Sequence, residues 1–191
     1  PAPDSTIPER NLEAIRYFIE NGGAFTINTG RSVPMTKSFR DKVPVNAPLL
    51  LMNGSGCYEN GEFTNLIPLS IDVWPVVRQL QQDYPDVNLE LQNLDMHYLI
   101  DPSDAYCEYY RCRNLPHKTA DASIHFGPFL KIGIYGDVEH REEGSEKQEK
   151  AALFDRIEAQ LRGMLSDDLV VLRATPQIIN IHAKAASKYL A

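Results

Sequence analysis

The order of hydrophobic periodicities over the first fifty residues constrains this chain most: it runs helix, strand, helix, strand, with a turn signal at each change. Thr6-Ile7-Pro8-Glu9 has the pattern of a capping box, in which the Thr6 hydroxyl takes the Glu9 amide and Glu9 reaches back. Leu12, Ile15, Phe18 and Ile19 then repeat on one helical face, and Gly22-Gly23 supplies the left-handed stop. Ala24 to Asn28 reads as a strand, Val33 to Lys42 as a polar helix, and Leu49 to Met52 as a strand apolar on both faces. A strand of that kind is expected to be covered on both sides by helices. The alternation predicts an α/β fold with a parallel sheet and right-handed crossovers.

Beyond Asn53-Gly54-Ser55, the run Tyr58-Glu59-Asn60-Gly61-Glu62-Phe63 places Asn-Gly between extended residues and predicts a hairpin. From about Leu69 the pattern restarts. A helix carries Val73, Val76, Val77 and Leu80, and extended pieces follow around Val87 to Leu91 and His97 to Ile100. A polar, Tyr-rich stretch covers Ala105 to Lys118, and Phe129 to Tyr135 reads as a strand. Gly136 to Gly144 is a charged loop, and Glu146 to Leu165 a helix with Ala152, Leu153, Ile157 and Leu161 inward. Leu169 to Leu172 and Ile178 to Ile181 pair as final strands. Residues 69–182 therefore read as a separate α+β lobe.

Composition excludes several function classes. With 43% hydrophobic and 24% charged residues over 191, the chain is of the globular kind and can bury a core. A formal charge of -7 argues against nucleic acid or an anionic membrane as partner. Four consecutive apolar residues fall far short of the roughly 20 a membrane span needs, and no charged-then-apolar leader opens the chain. Cys57, Cys107 and Cys112 form no even framework or CxxC pair, which points to a reducing, cytoplasmic compartment. His97, His117, His125, His140 and His182 lack ligand spacing and read as structural or surface residues. No GxSxG, Walker loop, GxGxxG or HExxH occurs.

Thr29-Gly30-Arg31 puts a hydroxyl, a flexible amide and a guanidinium at the carboxyl end of a strand, where open α/β sheets bind ligands. All three groups can bind phosphate, although the same residues suit a plain strand-to-helix turn. Asn53-Gly54 either presents an amide to the same cleft or only turns the chain. Lys188 follows the last strand in a small-residue segment, with Ser187 as a helix cap, and taken alone suits a solvated surface. Cys107-Glu108-Tyr109-Tyr110-Arg111-Cys112-Arg113 suits a partly buried strand face better than a substrate surface.

Together, Ile7-Pro8-Glu9-Arg10-Asn11-Leu12-Glu13-Ala14-Ile15, then Gly22-Gly23-Ala24-Phe25-Thr26-Ile27-Asn28-Thr29-Gly30-Arg31, then Asn53-Gly54-Ser55-Gly56-Cys57-Tyr58 resemble the Cof-like sugar-phosphatase branch of the haloacid dehalogenase superfamily. Gln177-Ile178-Ile179-Asn180-Ile181 with Ser187-Lys188 is similar to that family's last cap strand and motif-three lysine. The resemblance implies a partial Rossmann-like core, residues 1–68 and 183–191, interrupted by an inserted α/β cap, residues 69–182, that selects substrate. It implies magnesium-dependent hydrolysis of small phosphorylated metabolites, sugar phosphates first, through an aspartyl-phosphate. In that scheme the Thr29 hydroxyl and Gly30 amide bind a phosphoryl oxygen, and Lys188 compensates charge on nucleophile and phosphate.

The family's DxDGT motif, with both catalytic aspartates, is expected ahead of the first helix, where only Pro1-Ala2-Pro3-Asp4-Ser5 stands and Asp4 is no substitute. Its acidic GDxxND motif is expected beyond Lys188, and no residue of the chain is assigned to the metal. The chain is thus expected to be a piece of a longer phosphatase. Two other readings are a non-catalytic relative that binds phosphorylated ligands or a partner, and a sugar-phosphate phosphomutase. The phosphatase reading requires the Thr29 hydroxyl and Lys188 amine within about 10 Å of each other, both facing one phosphate, with Asn53 opening onto the same cleft.

Overall fold

A computed structural model describes residues 6–121, 128–136 and 145–186. The first helix, α1 (Glu9–Glu20), has Pro8 as its N-cap, in extended conformation at ψ 134°, so the expected capping box does not form. Ile7 explains this: a residue before proline is disfavoured in the α region, and the helix cannot begin until Pro8 is passed. Of the expected inward face, Leu12 is buried, whereas Phe18 is 51% exposed. The second helix, α2 (Val33–Arg40), ends two residues before the predicted Lys42.

The first strand, β1 (Leu49–Leu51), pairs antiparallel with β2 (Gly56–Glu59), which pairs with β3 (Glu62–Thr64). The Asn60-Gly61 hairpin turn forms as expected, with φ of 52° and 89° at its two residues. Ala24 to Asn28 departs from expectation. Among the described residues the predicted parallel pairing shrinks to one bridge, Asn28 with Leu50, made by Leu50 N to Ile27 O and Thr29 N to Leu50 O, both 2.9 Å. Pro48 is the cause. Continuing the ladder would need its N–H on Phe25 O, and proline has none. Phe25 O accepts from Asn46 N at 3.1 Å instead, and the Thr26 hydroxyl takes Pro48 O. Nor does the first strand extend to Met52, which turns away at φ 50°. Leu50, between buried Leu49 and Leu51, is only half-buried.

The larger sheet begins after α3 (Trp74–Asp83) and comprises β4 (Asn88–Gln92), β5 (His97–Ile100), β6 (His117–Ala120), β7 (Lys131–Tyr135), β8 (Leu169–Thr175) and β9 (Ile178–Ala183). Its order is β6-β5-β4-β7-β9-β8, antiparallel except for β5 with β6. The Tyr-rich stretch forms a helix, α4 (Asp104–Cys112), not the strand face predicted for it. Ser103 caps it, its hydroxyl accepting from Tyr106 N at 3.1 Å, and Tyr106 and Tyr110, four apart, share its buried side. In α5 (Ser145–Met164) Ile157 and Leu161 are buried as expected, but Ala152 is exposed and Phe154 takes its place inside. Most of the 136–144 loop, with His140, and the stretch holding His125 lie outside the described residues.

Strand alternation gives this sheet two unlike faces. Leu89, Leu91, Ile132, Ile134, Ile179 and Ile181 form a core with Val77, Leu80, Phe154, Ile157 and Leu161 from α3 and α5. The opposite face carries Asn88, Glu90, Gln92, His97, Lys131, Asn180 and His182, all buried although polar. Helix α4 covers part of it. Leu130, beside β7, packs instead with Leu49, Leu51 and Met52, so the polar face is closed off where the two sheets meet.

Candidate functional site

Residues 28–32 leave the short parallel bridge and enter α2, and three consecutive carbonyls in this turn are bonded inward. Thr29 O accepts from Asn53 N, Gly30 O from Lys131 Nζ, and Arg31 O from Met52 N, each at 3.1 Å. The Thr29 hydroxyl accepts from Arg31 N at 3.3 Å. The Thr29 amide is bonded inward as well, to Leu50 O at 2.9 Å. The Arg31 side chain is exposed, stacked over the Phe39 ring at 5.3 Å. Thr29 and Gly30 are half-buried.

Met52, Asn53 and Gly54 form a second turn with φ of 50°, 62° and 94°. A non-glycine residue pays roughly 1 kcal/mol or more for the left-handed region, least where it is Asn. Two such residues in succession persist because Met52 is wholly buried against Leu49, Leu51 and Leu130. The two turns touch closely. A Cβ on Gly30 would sit 2.5 Å from Asn53 Oδ1, so any larger residue there has to displace the buried Asn53 amide. Asn53 is 2% exposed, and its Nδ2 has no hydrogen-bond partner among the described residues. A buried donor without a partner costs on the order of 1–3 kcal/mol.

Structure therefore brings Thr29, Gly30, Arg31 and Asn53 together, with Asn53 buried against Gly30 rather than open. Lys188 lies outside the described residues, as does Ser187. A magnesium ion fits none of this. The groups gathered at the turns are chiefly donors, and among the described residues there is no cluster of three His, Cys, Asp or Glu able to hold a metal.

Sequence reasoning missed the groups behind the turn. Ser32, buried at the start of α2, meets His97 Nε2 at 2.8 Å, and His97 Nδ1 bonds Glu90 Oε1. Glu90 Oε1 also accepts from Gln92 Nε2, and Oε2 from Tyr106 at 2.9 Å and Tyr110 at 2.6 Å. Burial alone would raise the Glu90 pKa, but the His97 ring, the Lys131 charge and the Tyr110 hydroxyl outweigh it and bring it down to about 2. Burial and the same carboxylate push the Tyr106 and Tyr110 phenols up. Glu90 is therefore a fixed anion opposite the buried Lys131 ammonium. The alternation Asn88-Leu89-Glu90-Leu91-Gln92 was a readable signal, but it suggests a solvated face until α4 is placed over it.

The sequence profile of the haloacid dehalogenase-like hydrolases matches residues 2–191, and the chain belongs to that family. A haloacid dehalogenase-like hydrolase from Bacteroides thetaiotaomicron superposes with a TM-score of 0.73 at 17% identity, over 98% of this chain and 68% of that one. SMU.1108c from Streptococcus mutans UA159 gives 0.73 at 14% identity, with the same coverages of 98% and 68%. The subclass IIB sugar phosphatase BT4131 gives 0.66 at 14% identity, over 96% of this chain and 65% of its own. The α/β fold expected from the sequence is thus that of these hydrolases, and the chain spans about two thirds of their length. A comparison with curated proteins finds no match. Among the described residues no helix is long and apolar enough to cross a membrane.

Proposed function

We propose that the protein is a phosphatase of small phosphorylated metabolites, sugar phosphates first among them, and that this chain supplies its phosphate-binding turn and substrate-selecting lobe. The observation that carries this reading is the pair of turns. They hold the buried Asn53 amide against Gly30, its Nδ2 without a partner among the described residues, and their carbonyls bond inward. In this reading the Thr29 hydroxyl, the Gly30 amide, Asn53 Nδ2 and Arg31 hold phosphoryl oxygens. Donors fixed in place before the ligand arrives stabilise charge without reorganising as the reaction proceeds. Lys188 adds a cation beside them, residues 69–182 form the cap, and residues 1–68 with 183–191 belong to the core. The nucleophilic aspartate and the acidic ligands of the magnesium ion lie outside this chain, in a cytoplasmic enzyme.

The test is hydrolysis of p-nitrophenyl phosphate and of a panel of hexose phosphates, with product analysis to separate hydrolysis from phosphoryl migration. The 191-residue chain alone is expected to show no magnesium-dependent turnover, whereas the protein from the complete open reading frame turns over. Saturable, EDTA-sensitive turnover by the chain alone overturns the placement of the nucleophile. Phosphate binding without turnover by the complete protein identifies a non-catalytic relative.

A further inference from the structure

The phosphate-binding turn is anchored from the larger sheet by two hydrogen bonds, at adjacent points that nothing in the phosphate reading requires. Lys131, 3% exposed at the start of β7, donates to Gly30 O at 3.1 Å. His97, wholly buried at the start of β5, meets the Ser32 hydroxyl at 2.8 Å. Lys131 and Gln92 are cross-strand partners, and so are Gln92 and His97, so both anchors leave one row of the sheet's polar face. Behind that row sits Glu90, whose carboxylate bonds His97 directly and interacts with the Lys131 charge. A buried ammonium and a buried imidazole are costly to desolvate, and a buried carboxylate that orients both offsets the cost only if all three stay in place.

We propose that Lys131 and His97 are positioning residues: held by Glu90, they fix the Thr29–Ser32 turn from the larger sheet and so preorganise it for phosphate. This rests on the phosphate-binding reading above. Lys131 consumes the one carbonyl of the turn that the neighbouring backbone does not reach, and His97 fixes the first residue outside α2. Without them the Gly30 amide samples several directions, and a phosphate must order the turn on binding, which lowers affinity. The anchors lie in the lobe proposed to select substrate, so the geometry also makes phosphate affinity depend on how that lobe sits against the turn.

The test compares Lys131→Met, which keeps the buried stem but removes the donor, with Ser32→Ala, which leaves every charge in place, and with Ser32→Thr, which restores a hydroxyl. Two readouts are taken on the folded 191-residue chain: ¹⁵N relaxation of the Gly30 and Arg31 amides, and their titration with inorganic phosphate. Lys131→Met and Ser32→Ala are expected to loosen both amides and weaken phosphate binding roughly tenfold, and Ser32→Thr to recover most of it. Should Lys131→Met fail to fold, Ser32→Ala carries the test, because it disturbs no buried charge. Unchanged relaxation in Ser32→Ala overturns the anchoring role whatever phosphate does. Loosened amides in the variants, together with a wild-type Gly30 that ignores phosphate, uphold the anchoring and overturn the phosphate reading.

Discussion

Two polar clusters lie back to back in this protein and solve opposite problems. Around Glu90 the carboxylate is wholly buried and has hydrogen bonds from Gln92, His97, Tyr106 and Tyr110. Around Gly30 and Asn53, a few residues away through Lys131, a buried amide donor has no partner among the described residues and two non-glycine residues sit at positive φ. The Glu90 carboxylate is fully engaged and holds the fold together, although Gln92 Oε1 beside it has no partner among the described residues. An unsatisfied donor in a strained turn costs stability and is tolerated where a ligand completes it. What sets the turn apart is the pairing of an unpartnered donor with two successive non-glycine residues at positive φ.

The strongest way to break this comparison is to attack the satisfied side. Glu90→Ala leaves Lys131 and His97 buried without their carboxylate, and roughly 3–5 kcal/mol of stability should be lost in urea denaturation. A loss below 1 kcal/mol would mean that the network is ornamental. Acid probes the same group. Its pKa falls to about 2 on folding from an ordinary value of 4.5, so the unfolded chain binds the proton more readily. The stabilisation, on the order of 3 kcal/mol, is therefore present above pH 4.5 and lost as pH falls towards 2. Stability measured between pH 6 and 2 should drop steeply in the wild type and more gently in Glu90→Gln.

On the proposed phosphate-binding reading, Thr29→Ala or Lys188→Ala in the complete protein should reduce phosphatase turnover on the order of 10²-fold, while His125→Ala leaves it unchanged. Wild-type turnover in both site variants would end the assignment. The smallest effect sharpens the contrast most. Asn53→Gly removes an unpartnered donor and a strained φ, so thermal stability should hold or rise by about 1 kcal/mol while phosphate affinity falls. Loss of stability without loss of affinity would make Asn53 a structural residue like those around Glu90.

Local chemistry made several elements legible. The Asn60-Gly61 hairpin, the Val76-Val77-Leu80 helix and the β8 and β9 strands follow from periodicity and turn residues, because each depends on neighbours within a few positions. Where the reading failed, the competing cause was again near in sequence but of another kind. Pro8 blocked the capping box through Ile7, and Pro48 cut the parallel ladder to one bridge. The tyrosines at 106 and 110 have helical spacing that aromatic content obscured.

By itself, the sequence determined the family, the α/β class and the grouping of Thr29, Gly30 and Arg31 in one turn, because those depend on local order along the chain. Only tertiary structure decided that Glu90 is a buried anion, that Lys131 reaches Gly30 across 101 residues, and that Asn53 closes on the same glycine. Alternation in a strand says which residues share a face. It does not say whether water or a helix covers that face, and on that depends whether a carboxylate is solvated or must find four partners.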